Sequence, residues 1–540
     1  MKAKHKTEYQ PVPLPATNIA IRKVGNHRYA YSIGKGFRNA KGQPSSEQTG
    51  IGKLTHDGML IPNDNYFAIY ASHPSERIEI DSILNFGDFY LLDSLAKDIG
   101  LAQVLDNVFG NTGDEILILA IYMSLTGQAL YRCDGWCRET LTGREKAMTS
   151  QKCSRILSGL VERKRMDFFR AWVHARQQQE YLAYDVTSIS SYSKGNDVVE
   201  YGYNRDGEEL PQINLGMYYG EESRLPIFYC TYKGSIVDKS HLPYMMKYNE
   251  RLGIKDVCFV MDRGFYSEDN IRNLAFAHRF VIGMPNHLAL SKEMISRHGQ
   301  KVMSSRYDIG LTGAAGVAIQ DERYDFRCKI HLFYSSDKIA DETRTLKAKL
   351  AKWEDELREG KSVKKAEGYF YVETSADQKS ILVTRNHTAI DEKIRNLGYF
   401  LMMTTDLNKS PQEILDIYRR KDVIEKSFDE IKNDLDMKRL RVHSEEAMDG
   451  KMFIAFIGLI LKTFVHNKMK DYLDANRPVS LAQIFDELRM IKAVKTKSGL
   501  ILHNPLTKRQ RTILEQFNKT EEDLKAALAK YAGVRPFFEQ

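Results

Sequence analysis

Asp185 and Asp262 each close a run of apolar residues, Tyr181-Leu182-Ala183-Tyr184 and Val257-Cys258-Phe259-Val260-Met261. Such runs read as buried strands, and in an open α/β sheet the strand ends line the functional crevice. A buried carboxylate there is costly unless it is paired or binds a metal. Glu425 lies much further along, inside a helical pattern. Taken singly, each aspartate also suits a helix cap or a turn. Together the three acids offer oxygen ligands from three separate elements. Phoshoryl transfer by two hard divalent cations needs such a set: one ion activates the attacking oxygen and the other stabilises the leaving oxygen. Mg2+ keeps most of its waters and binds few carboxylates, which suits a three-acid site.

Glu425 belongs to the stretch from Ser410 to Leu435, SPQEILDIYRRKDVIEKSFDEIKNDL, which opens like a helix. Ser410 can cap, Pro411 suits the first helical position, and Glu413 completes a capping box. Ile414, Ile417, Ile424, Phe428, Ile431 and Leu435 recur at helical period and form a stripe to bury. Tyr418, Glu425 and Lys432 stand seven apart, with Lys421 between the first two. Seven residues is almost two turns, so a regular helix puts these groups on one line. A solvated charged face has the same spacing. The pattern becomes informative only if other carboxylates converge on Glu425.

The elements that must position these residues follow from periodicity. Residues 181–289 read as β, β, β, α, β, α, β: a strand over 181–187, a hairpin over 213–219 and 225–232, a helix over 241–252, a strand over 257–262, a helix over 268–277 and a strand over 280–284. Residues 290–395 read as a β-rich insertion with a helical arm. In it, Tyr324 to Tyr334 alternate as a strand, 337–359 form a charged helix with the apolar line Leu346, Leu350, Trp353 and Leu357, and 370–373 and 381–384 are short strands. Residues 396–470 return through Tyr399 to Met403 to the Ser410 helix and the apolar run 452–461. Residues 471–540 read as a helical tail for DNA binding or dimerisation, punctuated by Lys492, Lys495, Lys497, Lys508, Arg509 and Arg511. At the other end, 1–76 form a small β-rich unit, with strands at 29–33 and 49–54. Residues 77–180 turn helical, with helices expected over 83–99, 115–125, 150–162 and 166–179 and Ser150 as an N-cap.

A chain of 540 residues with 42% hydrophobic and 28% charged residues is globular and large enough for several domains. Its net charge of +8 permits a nucleic-acid partner without demanding one. Ten lysines and arginines against four acids in residues 1–70 give that region +6, which suits either a solubilising surface or a DNA-contacting arm. The six cysteines are scattered, with only Cys133 and Cys137 close, so reduced thiols are expected. No apolar run follows the basic start, and the runs 116–125 and 452–461 are half a membrane span, so neither a signal peptide nor a membrane anchor is expected.

Three motifs carry a family resemblance: Y-D-V-T-S at 184–188, V-M-D-R-G-F-Y-S at 260–267 and Y-R-R-K-D-V-I-E-K-S-F-D-E-I-K at 418–432. Over about 78–470 the chain resembles the DDE transposases of bacterial insertion sequences, in the branch with a Y-x2-R-x3-E-x6-K signature and a β-rich insertion before the glutamate. The resemblance implies an α/β fold with an RNase H-like mixed-sheet core, flanked by the N-terminal β unit, the helical domain and the C-terminal tail. It implies Asp185, Asp262 and Glu425 as catalytic metal ligands for two Mg2+ ions, with Mn2+ as a substitute. It implies double-stranded DNA as partner, both element ends and target, with Tyr418, Arg419, Lys421 and Lys432 as DNA contacts. A homodimer in the synaptic complex and a cytoplasmic, nucleoid-associated location are implied too. The signature's arginine is Lys421 here, a point charge in place of a planar fork. Relatives stack a tryptophan of the insertion on a flipped base. Trp353 is the only tryptophan in this insertion, and its place on an apolar line suits core packing.

Other classes share some of these features. An RNase H-like nuclease or resolvase would use the same acids without synapsis, and would leave the basic N-terminal unit and the insertion without purpose. A paired-carboxylate glycosidase would not need the lysine-rich glutamate helix. A non-catalytic DNA-binding descendant would not need three intact acids.

Overall fold

A computed structural model describes residues 9–39, 42–70, 80–144, 147–176, 181–192, 197–255, 257–310, 314–321, 324–374, 381–442, 444–496 and 499–531. The chain divides into two compact units, Met1–Ser82 with Lys495–Gly499, and Ile83–Val494 with Leu500–Gln540.

The first unit is an antiparallel meander, Ile19–Val24, His27–Arg38, Pro44–Leu54 and Leu60–Pro62, paired in sequence order. Both strands expected there are present and longer than their apolar cores. Ala30, Ile51, Leu54 and Leu60 form its small interior. Arg22, Lys23 and Arg28 are exposed.

The second unit is built on one nine-stranded mixed sheet. Its strands are β1 (Tyr181–Ser190), β2 (Gln212–Gly220), β3 (Pro226–Lys233), β4 (Cys258–Met261), β5 (Arg279–Met284), β6 (Asp308–Ile309), β7 (Ala314–Asp321), β8 (Cys328–Ser335) and β9 (Tyr399–Thr404). Their spatial order is β6-β7-β8-β9-β5-β4-β1-β2-β3. Only the central pairs β1–β4 and β4–β5 are parallel. The expected run β, β, β, α, β, α, β is present from β1 to β5, with helices Asp238–Leu252 and Glu268–Ala277.

The region 290–395 divides in two. β8 pairs with β9 and β7 with β8, and together they widen the main sheet, because β9 on the returning chain offers an open edge. Strand β8 begins at Cys328, not Tyr324. Only helix Ser336–Arg358, the hairpin Phe370–Thr374 with Ile381–Arg385, and helix His387–Arg395 keep a separate interior. Trp353 packs at the margin of that interior, 6.3 Å from the Tyr369 ring, as the apolar line implies.

The Ser410 stretch is not one helix. It forms α1 (Pro411–Arg420) and α2 (Asp422–Asp429), followed by a π-helical turn over Glu430–Asp434. The capping box of Ser410 and Glu413 is formed. At the junction the Lys421 N–H bonds the Tyr418 carbonyl and the Ile424 N–H bonds the Lys421 carbonyl, tight i→i−3 closures. Past α2, the Leu435 N–H reaches back to Glu430. The stripe residues are all buried, but they enter two interiors. Ile414, Leu415 and Ile417 pack on Cys258, Val260 and Val281. Ile424, Phe428, Ile431 and Leu435 join the main core. Each such side chain contributes about 2 kcal/mol of burial, and together they hold the stretch flat on the sheet.

Long helix α3 (Glu445–Ala475) buries its apolar run against helix Asn111–Thr126, where Gly458 lets the Ser124 hydroxyl reach the Gly458 carbonyl at 3.2 Å. Among the described residues no single helix is long and apolar enough to cross a membrane. Three other expectations shift. Phe86 and Gly87 bond the Ile491 carbonyl, so the helix expected from 83 starts at Gly87. Thr149, not Ser150, caps helix Ser150–Gly159 through the Lys152 N–H. The tail holds two strands, Lys492–Thr496 and Gly499–Leu502, between its helices. Of the helix expected over 166–179, residues 177–179 lie outside the described residues.

Candidate active site

Strand register brings the two aspartates together. Tyr184 lies opposite Met261 in the parallel pair β1–β4, and the acids are the next residue on each strand. Adjacent strands lie about 4.8 Å apart. Strand β1 does not end at Asp185. It runs on to Ser190 because β2 continues to pair with it, Asp185 opposite Met217. It is β4 that stops, so Asp185 stands where the ladder loses its second neighbour. Alternation puts Asp185 on the face of Tyr181 and Ala183, and Asp262 on the face of Cys258 and Val260. Cys258, Val260 and Tyr181 pack against α1. The sheet face that carries both acids is therefore the one α1 covers.

Each acid is tied down locally and then met by a group from the α1–α2 stretch. Asp185 Oδ1 accepts the Val186 N–H at 2.8 Å, and Oδ2 accepts from the Lys421 ammonium at 3.0 Å. Asp262 caps a short 3-10 turn through the Arg263 N–H at 2.6 Å and accepts the Tyr418 hydroxyl at 3.0 Å. Glu425 is solvent-facing, and its Oε1 lies 3.6 Å from the same Lys421 nitrogen. Lys421 itself is buried. Burial alone would lower its pKa; the charges of Asp185, Asp262 and Glu425 outweigh that and hold it above the usual lysine value. One ammonium thus feels all three acids. Burial first, then Asp262, pushes the Tyr418 phenol well up, so it donates and is no base at neutral pH.

Among the described residues no three Asp, Glu, His or Cys side chains are gathered tightly enough to hold a metal ion. The acids gather round an ammonium and a phenol instead. As a donor set they fit a hard divalent cation, because all their ligand atoms are oxygens. Such a cation would compete with Lys421 for contacts to Asp185 and Glu425.

The other expected DNA contacts fall elsewhere. Lys432 sits in the π turn, which takes it off the line of Glu425. It is buried and bonds both oxygens of Asp206, at 2.8 and 2.9 Å. Arg419 points away from the acids and lines a separate cavity. Three residues not singled out from the sequence support the site. Asp206 anchors Lys432. Lys338, at the start of helix Ser336–Arg358, lies close enough to Asp262 and Arg263 to feel both charges; burial lowers its pKa. Gly283 on β5 makes room for the site, since a methyl there would come 2.9 Å from the Arg263 nitrogen and 3.2 Å from the Tyr418 hydroxyl. Nothing in local spacing marks Asp206 or Lys338; Gly283 interrupts an apolar strand, which is a sign of close backbone approach.

A family model described as a transposase DDE domain matches residues 176–461. No curated protein matches the chain. Among solved structures, the piggyBac transposase synaptic complex with hairpin DNA, determined by cryo-EM, is similar over 81% of this chain and 76% of its own, at 9% identity and a TM-score of 0.32.

Proposed function

Because this chain belongs to the transposase DDE domain family, we propose that it binds the ends of a bacterial insertion sequence, cleaves them and joins them to target DNA. The reading takes the mixed sheet as an RNase H-like core. The observation that carries it is the convergence of Asp185, Asp262 and Glu425 on Lys421, from two adjacent strands and a later helix. Two Mg2+ ions held by the three acids, or Mn2+ in their place, would supply Lewis acidity for in-line phosphoryl displacement.

The chain's own residues prepare that site. The Val186 N–H fixes Oδ1 of Asp185, and the Arg263 N–H fixes Oδ1 of Asp262. Tyr418 holds Asp262 as a donor, and Lys421 holds Asp185 towards Glu425. Arg419 is exposed and available to a DNA backbone. The basic N-terminal unit 1–76, the helical domain 77–180 and the tail 471–540 share the remaining DNA contacts, in a homodimer on two ends at the nucleoid.

Labelled element ends incubated with Mg2+ test this. Joined products support transposition. Nicks alone, with no joined product, favour a nuclease or resolvase of the same core. Cleavage without any divalent ion overturns the metal assignment.

A further inference from the structure

A cavity of about 430 Å³ lies on the other face of α1 and α2. None of Asp185, Asp262, Tyr418, Lys421 and Glu425 lines it. Its walls come from the β2–β3 turn, from a helical row spaced four, three and four apart (Arg419, Val423, Lys426, Glu430) and from α3. The size suits a small-molecule-sized group.

The lining also carries Asp416, held by Gln412, Glu430, paired with His466, and the exposed Asp422; beside these, two groups of opposite character stand out. Arg224, Arg419, Lys426 and Lys470 are exposed at its edge, and none has an ion pair among the described residues. Deeper, the Glu221 side chain is 6% exposed. Arg420 holds its Oε1, while its Oε2 is enclosed and has no hydrogen-bond partner among the described residues. Burial keeps the Glu221 pKa up against the pull of Arg420. A buried acceptor left without a donor costs about 1–3 kcal/mol. The turn that presents these groups is pinned: Arg224 has φ +53°, and its carbonyl accepts from the Tyr219 hydroxyl and the Asn467 amide.

An inorganic anion would satisfy the cations and be repelled by Glu221. A metal ion would satisfy Glu221 and be repelled by the cations. A ligand with phosphate at one end and an N–H donor at the other satisfies both. We infer that this cavity holds one nucleotide of a DNA strand, its phosphate among Arg224, Arg419, Lys426 and Lys470 and the N–H edge of its base on Glu221. The inference rests on the proposed action on DNA and adds a site for one of its strands, on the opposite side of the helices from the acids.

The test uses the full chain with a short single-stranded oligonucleotide, the four deoxynucleoside monophosphates and inorganic phosphate, read by saturation-transfer NMR and by fluorescence anisotropy across a salt series. The monophosphates should bind in preference to phosphate, and the oligonucleotide should displace them. Lys426→Ala combined with Lys470→Ala, both exposed and tolerable to the fold, should flatten the slope of log affinity against log salt by about 0.7, the value for one phosphate contact on a single strand. Glu221→Gln should change the order of preference among the four bases, because an amide presents one acceptor and one donor where the carboxylate presents only acceptors. Monophosphate binding that the oligonucleotide cannot displace overturns the strand assignment. Unchanged salt slope and base order in the two variants overturn the site. Asp262→Ala should bind the monophosphates as the unaltered chain does. If the unaltered chain binds them and cleaves no DNA end, the transposition reading fails and the cavity assignment stands.

Discussion

The Lys421 ammonium lies 3.0 Å from the Asp185 carboxylate with only 5% of its side chain exposed. A cation so enclosed and a divalent ion on the same oxygens oppose each other. Two like charges 4 Å apart cost about 4 kcal/mol at an effective dielectric of 20. Lys421→Met should therefore tighten Mn2+ binding by about tenfold or more, measured by electron paramagnetic resonance. Unchanged or weaker binding means that Lys421 does not share the ion's place. The same variant should melt lower in chelator and recover on adding Mg2+, since removing one partner of a buried pair costs up to about 3 kcal/mol.

Alanine at Asp185, Asp262 or Glu425 should lower end cleavage by roughly a thousandfold, the loss of several kcal/mol of charge stabilisation. Binding of end DNA should change little. Gel-shift and cleavage assays on the same preparations separate the two effects. Near-normal cleavage by Asp262→Ala would remove it from the reacting set.

Lys432 is buried and bonds the more exposed Asp206, so its first effect is on the segment that carries Asp206. Lys432→Ala and Asp206→Ala should each lower stability by about 1–3 kcal/mol, with the double variant no worse than either. Hydrogen exchange should rise in residues 197–211 in both. A loss of DNA affinity in Lys432→Ala that Asp206→Ala does not share would mark a direct phosphate contact instead.

His331 on β8 is fully buried, and neither ring nitrogen has a hydrogen-bond partner among the described residues. Burial first, then the charge of Lys329, pulls its pKa from 6.5 down to about 4. Above pH 6.5 the ring is neutral in folded and unfolded chains alike, and its contribution is constant. Between 6.5 and about 4 only the unfolded chain takes the proton, so stability falls as pH falls. The full interval is worth roughly 3 kcal/mol. His331→Leu should flatten this dependence in urea titrations at pH 5 and 7, leaving a residual slope from His241, which burial also lowers to about 4. An identical slope in the variant would show that His331 is hydrated.

The sheet was legible because β4, Leu182 to Tyr184 of β1 and Phe280 to Ile282 of β5 are buried, short apolar runs. The capping box and the stripe from Ile414 to Leu435 were legible because they obey local spacing. The turn at Lys421 and the π turn at Glu430 were not. Both arise because the stretch must follow two different interiors, and no local residue announces that change. Asp185 looked terminal because Thr187, Ser188 and Ser190 are polar. They are buried all the same, and Ser190 bonds the distant Glu208. Lys432 read as a DNA contact on the line of Glu425, because its partner Asp206 lies 226 residues away.

Gly283 gives the site a dependence between two positions that share no contact in sequence. The Tyr418 hydroxyl reaches Asp262 through space that any larger residue at 283 would fill. Gly283→Ala alone should dislodge the phenol, whereas a chain that already carries Tyr418→Phe has surrendered that reach and has less to lose. The penalty for the methyl should thus shrink when the hydroxyl is gone, and a thermodynamic cycle over the four combinations should show a coupling of about 0.5–3 kcal/mol. Glycine and tyrosine here are a single choice made twice: the size of one residue sets the chemistry open to the other.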